Sequence, residues 1–254
     1  MDPQEYSIMA YAEHKHWWFK GLRNLVLLSL KSRIKHNATI LDAGCGTGEN
    51  TGAIQTYLPS ATVIGIDNNN IATSYAKIKV PGCITQGTIN SLPIADSSVD
   101  AIINLDVIYH KEVNEQLALE EFTRVLKPSG ILIMNLPAFE WLRTKHDIRI
   151  YTSHRYTTAE VRNITHQVGF NIINCYYRNS ILFPLMVIDR FINKLAARYT
   201  RGSSTKLPWA PINYFFSIII EIENMLIRFG IRFPVGGSVF SILKKPIDFD
   251  RKPS

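Results

Sequence analysis

The segment Leu41-Asp42-Ala43-Gly44-Cys45-Gly46-Thr47-Gly48 constrains the fold more than any other part of the chain. It leaves a short apolar run, residues 38–43, of the kind that forms a buried strand, and a helical stretch follows to about residue 58. Glycines allow a sharp turn and a close approach of main chain to a ligand. The first turn of the helix adds unpaired N–H groups. Strand, glycine turn and helix in that order open a βαβ unit, whose ligands sit at the carboxyl ends of the strands.

The alternation continues. Apolar runs at 61–66, 83–86, 99–105 and 131–136 read as strands, and 71–79 and 112–126 as the helices between them. Strands that are apolar throughout, rather than on alternate residues, belong to a parallel sheet covered on both faces. Residues 158–168 predict a further helix, 170–177 a sixth strand and 238–243 a seventh; residues 5–36 read as helical. The expected fold is α/β: a Rossmann-like, doubly wound, mostly parallel seven-stranded sheet with an antiparallel last strand. The expected divisions are a helical cap (1–36), a cofactor-binding core (37–180), a helical lid or membrane-docking insertion (181–234) and the last strand with its tail (235–254). A length of 254 residues with 46% hydrophobic side chains suits one such domain.

The glycine turn does not suit a phosphate. Gly44 and Gly46 fit the dinucleotide spacing, but Glu49 stands where its third glycine belongs and would repel a pyrophosphate; no Lys-Ser/Thr pair follows as in a P-loop. Asp67, at the end of the second predicted strand, is placed to accept hydrogen bonds from two ribose hydroxyls. An adenosine carrying an amino-acid tail fits both features. Cys45 reads as a small residue between two glycines. The three cysteines are too few and too scattered for a disulfide framework, and no metal site is expected.

These residues resemble the class I S-adenosylmethionine-dependent methyltransferases. The Asp42–Gly48 turn and Asp67 look like the first two motifs of that family, Gln86-Gly87-Thr88-Ile89 like its adenine-side segment, and Asp96 to Asp100 with Arg124 to Gly130 like its later motifs, Ser129 replacing a usual glycine. The resemblance implies S-adenosylmethionine as cofactor. It places Asp42, Gly44, Cys45 and Gly46 at the methionine end, Asp67 and Asn68 at the ribose, Thr88 and Ile89 at the adenine, and Leu105 and Asp106 toward the methyl group. His16-Trp17-Trp18-Phe19, Asp106 to His110, Trp141, His146-Asp147 and Arg155-Tyr156 are similar to a bacterial type 11/12-like methyltransferase group associated with cell-surface glycan and lipid genes.

Methyl transfer to a hydroxyl gains from a general base. His110, His146 and Asp147 follow the fourth and fifth strands, at the edge where ligands bind, and are the candidate catalytic residues: either histidine as base, Asp147 orienting it or binding the acceptor. Arg155 and Tyr156 are candidates for holding an anionic acceptor group. The aromatic trio Trp17–Phe19 is expected to pack a helix over the cofactor cleft.

Residues 180–234 are placed to cap the acceptor pocket. Arg190, Lys194 and Arg198 recur every four residues beside apolar neighbours, and 213–229 predicts a second apolar helix interrupted by Glu221 and Glu223, too charged to span a membrane comfortably. A lid packed on its own domain and a helix docked on an anionic membrane surface both fit this pattern. The net charge of +7 admits RNA as well, yet no recognition motif for nucleic acid is present. The leading expectation is methylation of a small, lipid-linked or glycan-related acceptor. The alternatives are an RNA methyltransferase and a non-catalytic S-adenosylmethionine-binding subunit. The N-terminus lacks signal-peptide character, so a cytoplasmic or peripheral membrane location is expected.

Overall fold

The computed structural model describes residues 3–195 and 207–247, except for the side chains of 3–5, 145–146 and 193–195. Seven strands, β1 (Thr39–Ala43), β2 (Thr62–Asp67), β3 (Ile84–Gln86), β4 (Val99–Leu105), β5 (Leu126–Pro137), β6 (Asn171–Arg178) and β7 (Ser238–Lys244), form one sheet in the order β3-β2-β1-β4-β5-β7-β6. β1 to β5 run parallel to one another, and β7 is antiparallel to both β5 and β6.

Adjacent residues in the central strands go to opposite faces. Ile40 and Ile103 join Leu22, Leu25 and Leu30 in one core cluster, while Leu41 and Ile102 join Leu119 and Phe122 in the other. Both faces being dry is why these strands carry no polar alternation. The helices that cover them are α1 (Pro3–Ala12), α2 (Trp17–Lys31), α3 (Glu49–Tyr57), α4 (Asn70–Lys79), α5 (Glu115–Val125), the short α6 (Lys145–Arg149), α7 (Thr158–Gln167), α8 (Phe183–Leu195) and α9 (Ala210–Arg228).

The helical stretch expected over 5–36 is two helices. His16 ends the turn between them in extended backbone, and its Nδ1 accepts the Trp18 N–H at 3.2 Å, capping α2. The helix expected from 112 begins at Glu115 because Asn114 caps it through the Leu117 N–H. β5 starts earlier than expected: Val99 pairs with Leu126, the register then shifts, and Ala101 pairs with Ile131. The intervening turn holds Ser129 at φ 64°, a left-handed conformation that accounts for the usual glycine there.

α8 and α9 fill the connection between β6 and β7. Both ends of that connection lie at the carboxyl edge of the parallel strands. α9 packs on α2: Asn224 donates to the Gly21 carbonyl at 2.9 Å, the Trp17 N–H donates to Asn213 at 3.0 Å, and Asn24 donates to Glu221 at 2.6 Å. The helices approach so closely that a Cβ on Gly21 would meet Ile220 Cγ2 at 2.1 Å. Glu223, buried, accepts the N–H groups of Ser180 and Ile181 at 2.7 and 2.9 Å and so ties α9 to the exit of β6. Of the expected basic pattern, Arg198 and the Lys194 side chain lie outside the described residues.

Candidate active site

The glycine loop is built by three left-handed residues, Gly44 (φ 86°), Gly46 (φ 54°) and Gly48 (φ 84°). The N–H groups of Gly44 and Cys45 both donate to the Ile66 carbonyl, at 2.7 and 3.0 Å. The loop is thereby folded back onto the end of β2, and the Gly46 N–H donates to Asp67 Oδ2 at 2.9 Å. Asp67 Oδ1 accepts the Asn69 N–H at 2.9 Å. Burial pushes the Asp67 carboxyl up, against these two N–H groups, which favour the ionised form.

Gly44 has no room for a side chain. A Cβ there would lie 2.4 Å from Val107 Cγ2, on top of the strain of positive φ. Gly44→Ala is expected to lower stability by about 2 kcal/mol or more and to weaken cofactor binding, because the Val107 turn carries Asp106. Urea unfolding beside calorimetric titration of the cofactor measures both effects; an unchanged midpoint would refute the close packing.

A cavity of about 760 Å³ opens above this loop. Gly44, Cys45, Gly46, Asp67, Asn68, Thr88, Ile89, Leu105 and Asp106, all expected at the cofactor, line it. Asp42 does not. Its Oδ2 accepts the Thr51 hydroxyl at 2.6 Å behind the loop, and burial pushes its carboxyl up to about 7. The expectation that Asp42 lines the methionine end is corrected on that ground: it braces the first turn of α3. Cys45 is buried, which raises its thiol well above the usual range and leaves it unreactive.

α1 adds a wall that the sequence did not mark. Tyr6, Met9 and Glu13 line the cavity beside Gly46, and Glu13 accepts hydrogen bonds from the Thr47 hydroxyl and the Lys79 ammonium. With Asp67, Asp106 and Glu112 they make this end of the cavity acidic. The far end differs: Trp17, Leu182, Leu185, Met186 and Phe216 supply apolar walls, and Arg155 and Arg190 supply cations beside the carboxylates of Asp147 and Asp189. Trp17 meets Phe216 edge to face at 5.5 Å, which joins α2 to α9 over the cavity.

His110 lines the cavity four residues after Asp106. Its Nδ1 lies 2.7 Å from the Ile150 carbonyl, which can only accept, so the proton sits on Nδ1 and Nε2 is the basic nitrogen. Burial holds its pKa below that of a free imidazole. Asp106 is at φ 60°, and Asn135 Nδ2 reaches both its oxygens at 3.1 and 3.0 Å; burial pushes this carboxyl up to about 7.

The other candidates are placed differently. Asp147, buried, pairs with Arg155 Nη1 at 2.6 Å and accepts the N–H and hydroxyl of Thr144 at 2.6 and 2.8 Å. A carboxylate so engaged is not available as a base or as an orienter of His110; it holds Arg155 in place. Arg155 lines the cavity, with Nε donating to the Ala138 carbonyl at 3.1 Å. Tyr156 does not line it. Its hydroxyl donates to Glu115 and its ring belongs to the core, so the expectation that it binds the acceptor is corrected. The His146 side chain lies outside the described residues. Among the described residues Arg190 makes no hydrogen bond; burial lowers its pKa, and the charges that act on it are those of Arg155, Asp147 and Asp189.

A family profile described as a methyltransferase domain matches residues 41–134, from the glycine loop to the middle of β5. That match identifies residues 41–134 as a class I S-adenosylmethionine-dependent methyltransferase domain. A Mycolicibacterium smegmatis protein named "Probable S-adenosylmethionine-dependent methyltransferase" is 28% identical over 171 residues, 66% of this chain and 64% of that protein. The ubiquinone/menaquinone biosynthesis C-methyltransferase of Syntrophotalea carbinolica is 33% identical over 132 residues, 50% of this chain and 52% of that protein. Among solved structures, the Haloferax volcanii methyltransferase in complex with the Trm112 activator superposes with a TM-score of 0.61 at 18% identity, covering 96% of this chain and 94% of that one. The methyltransferase spans about half to two thirds of the length of these two curated relatives.

The residues fit the family's cofactor, S-adenosylmethionine. It carries a sulfonium and an ammonium, and the walls beside Gly44–Gly46 are the carboxylates of Glu13, Asp67, Asp106 and Glu112. The open face of Gly46, where a Cβ would press to 3.3 Å from Met9 Cε, leaves bare backbone for its amino-acid tail.

Proposed function

We propose that this methyltransferase transfers a methyl group to a hydroxyl of an acceptor that has an apolar body and an acidic group. The observation that carries the reading is the continuity of the cavity: its acidic, glycine-lined end and its apolar end, which holds Arg155 and Arg190, share one space. Asp67 and Asn68 would hold the ribose, and Thr88 and Ile89 the adenine. When bound, S-adenosylmethionine supplies the electrophilic methyl; the chain supplies position and a base.

His110 is the base of this proposal. Nδ1–H is fixed on the Ile150 carbonyl, and Nε2 takes the hydroxyl proton as the nucleophile attacks. The Trp17–Phe216 wall and α8 exclude water, and Arg190 with the remaining edge of Arg155 receives the acidic group.

The test is methyl transfer from S-adenosylmethionine labelled in the methyl group into separated cell fractions. Label is expected in the lipid extract. Label in RNA instead would replace this reading with the nucleic-acid one, and no transfer into any fraction would leave a binding subunit. The pH profile tests the base. His110 acts neutral, and burial keeps it neutral to lower pH than a free imidazole, so the acid limb of kcat is expected at lower pH than a free imidazole would give. An acid limb near 7 would point to Asp106, whose carboxyl is raised to about 7.

A further inference from the structure

We propose that His16 is an acceptor-binding residue, its Nε2–H donating a hydrogen bond to an uncharged oxygen of the molecule that is methylated. This rests on the methyl-transfer reading proposed above and deepens it: it adds one chemical requirement to the acceptor.

The imidazole is held in place from several sides. His16 stands in the turn between α1 and α2, and one side chain of α9 holds the main chain before and after it. Asn213 donates to the Lys15 carbonyl at 2.9 Å and accepts the Trp17 N–H at 3.0 Å. The ring stacks on Trp17 with centroids 5.5 Å apart and meets Phe19 edge to face at 5.8 Å. Its Nδ1 accepts the Trp18 N–H at 3.2 Å. A ring fixed by a hydrogen bond and two aromatic contacts presents its other nitrogen in one direction.

The helix cap decides the tautomer. Neutral imidazole carries one proton, and a nitrogen that accepts an N–H carries none, so the proton is on Nε2. Nε2 has no hydrogen-bond partner among the described residues, yet it is not sealed from solvent. His16 as a whole is buried and lines the cavity, so the open nitrogen faces that space. His110 has the reverse polarity: its Nδ1–H is committed to the Ile150 carbonyl, and its Nε2 offers a lone pair. One cavity thus contains a nitrogen that can take a proton and another that can only donate a hydrogen bond.

Two observations choose what His16 meets. Among the described residues no charged side chain acts on it: burial alone lowers its pKa to about 4. Tyr6, on the acidic wall, is raised by burial and then by Asp67 and Glu112. His16 therefore stands apart from the carboxylates of the cofactor end, in the aromatic wall that Trp17 forms with Phe216. The second observation is the absence of charge on the ring itself near neutrality. An acidic group is better served by Arg155 and Arg190. A neutral donor among aromatic rings suits a carbonyl or ether oxygen. An acceptor lacking that oxygen would leave a buried N–H unpaired, and that penalty is what lets such a donor discriminate.

His16→Asn separates the donor from the cap. Asparagine is a strong N-cap whose oxygen can take the Trp18 N–H, but its shorter side chain puts nothing where Nε2–H was. Turnover is followed with methyl-labelled S-adenosylmethionine and increasing amounts of lipid extract. The half-saturating amount of extract is expected to rise about fivefold to tenfold in this variant, as for one lost hydrogen bond, and the rate at saturation to change less. The urea midpoint and the calorimetric affinity for S-adenosylmethionine are expected to match those of the unsubstituted chain. His16→Ala should show the same rise together with a lower urea midpoint, because it loses the cap as well. An unchanged half-saturating amount in His16→Asn overturns the proposal and leaves His16 a helix cap. So does weaker cofactor affinity without that rise, which would assign the donor to S-adenosylmethionine. Nitrogen-15 NMR of the histidine rings tests the site without turnover: His16 is expected as the neutral Nε2–H tautomer near neutral pH, with a signal that shifts when the extract is added. The Nδ1–H tautomer, or a signal that does not move, overturns the proposal. A shifting His16 signal in a chain that transfers no label would keep the site and sink the methyl-transfer reading.

Discussion

Asp67→Ala is expected to weaken S-adenosylmethionine binding about a hundredfold, the equivalent of about 3 kcal/mol. Two losses combine. The ribose hydroxyls lose a charged acceptor, and the Gly46 N–H loses the carboxylate that fixes the glycine loop at 2.9 Å. Asp67→Asn separates them: its amide oxygen can still accept from one N–H, so the loop keeps its shape while the ribose loses the negative charge. Titration calorimetry on the three proteins, with urea unfolding as a control for folding, gives the ranking. Affinity retained within threefold or so in the Ala variant would mean that Asp67 shapes the loop and holds nothing.

His110→Ala is expected to lower kcat by roughly a hundredfold to ten-thousandfold, the usual contribution of a positioned base, and to leave cofactor affinity unchanged. The imidazole lines the cavity with its Nδ1 committed to the Ile150 carbonyl, so the substitution removes Nε2 and one local hydrogen bond. Turnover with the lipid fraction as acceptor measures the loss, and added imidazole should restore part of it. A full rate in the Ala variant would eliminate His110 as base and turn attention to Asp106, the carboxyl that Asn135 holds against the same cavity.

The cofactor half of this site was legible in the sequence because its parts are close along the chain. Strand β1, the glycine loop and Asp67 all fall within residues 39–67, and apolar runs ending in glycine or acid fix which end of each strand bears the ligand. Asp42 escaped because its partner Thr51 sits in the first turn of α3, where its hydroxyl takes the carboxylate away from the cavity. The acceptor half is assembled from loops, and the choice of loop side chain that faces inward depends on distant partners. Tyr156 turns to Glu115 and Asp147 to Arg155; neither pairing leaves a period in the sequence. α1 was legible as helix but not as a wall: PQEYSIMAYA has no clear apolar stripe, and only the fold brings Glu13 to Thr47 and Lys79.

The contact between Gly21 and Ile220 has a consequence for how such enzymes diversify. The β6–β7 connection begins and ends at one edge of the sheet, so its helices lie outside the strand register. Its second helix, however, interlocks with α2 through a residue that admits no side chain and through Asn224 on the Gly21 carbonyl. A change in α9 at Ile220 or Asn224 therefore has to be met by one in α2, although nearly two hundred residues separate the two helices.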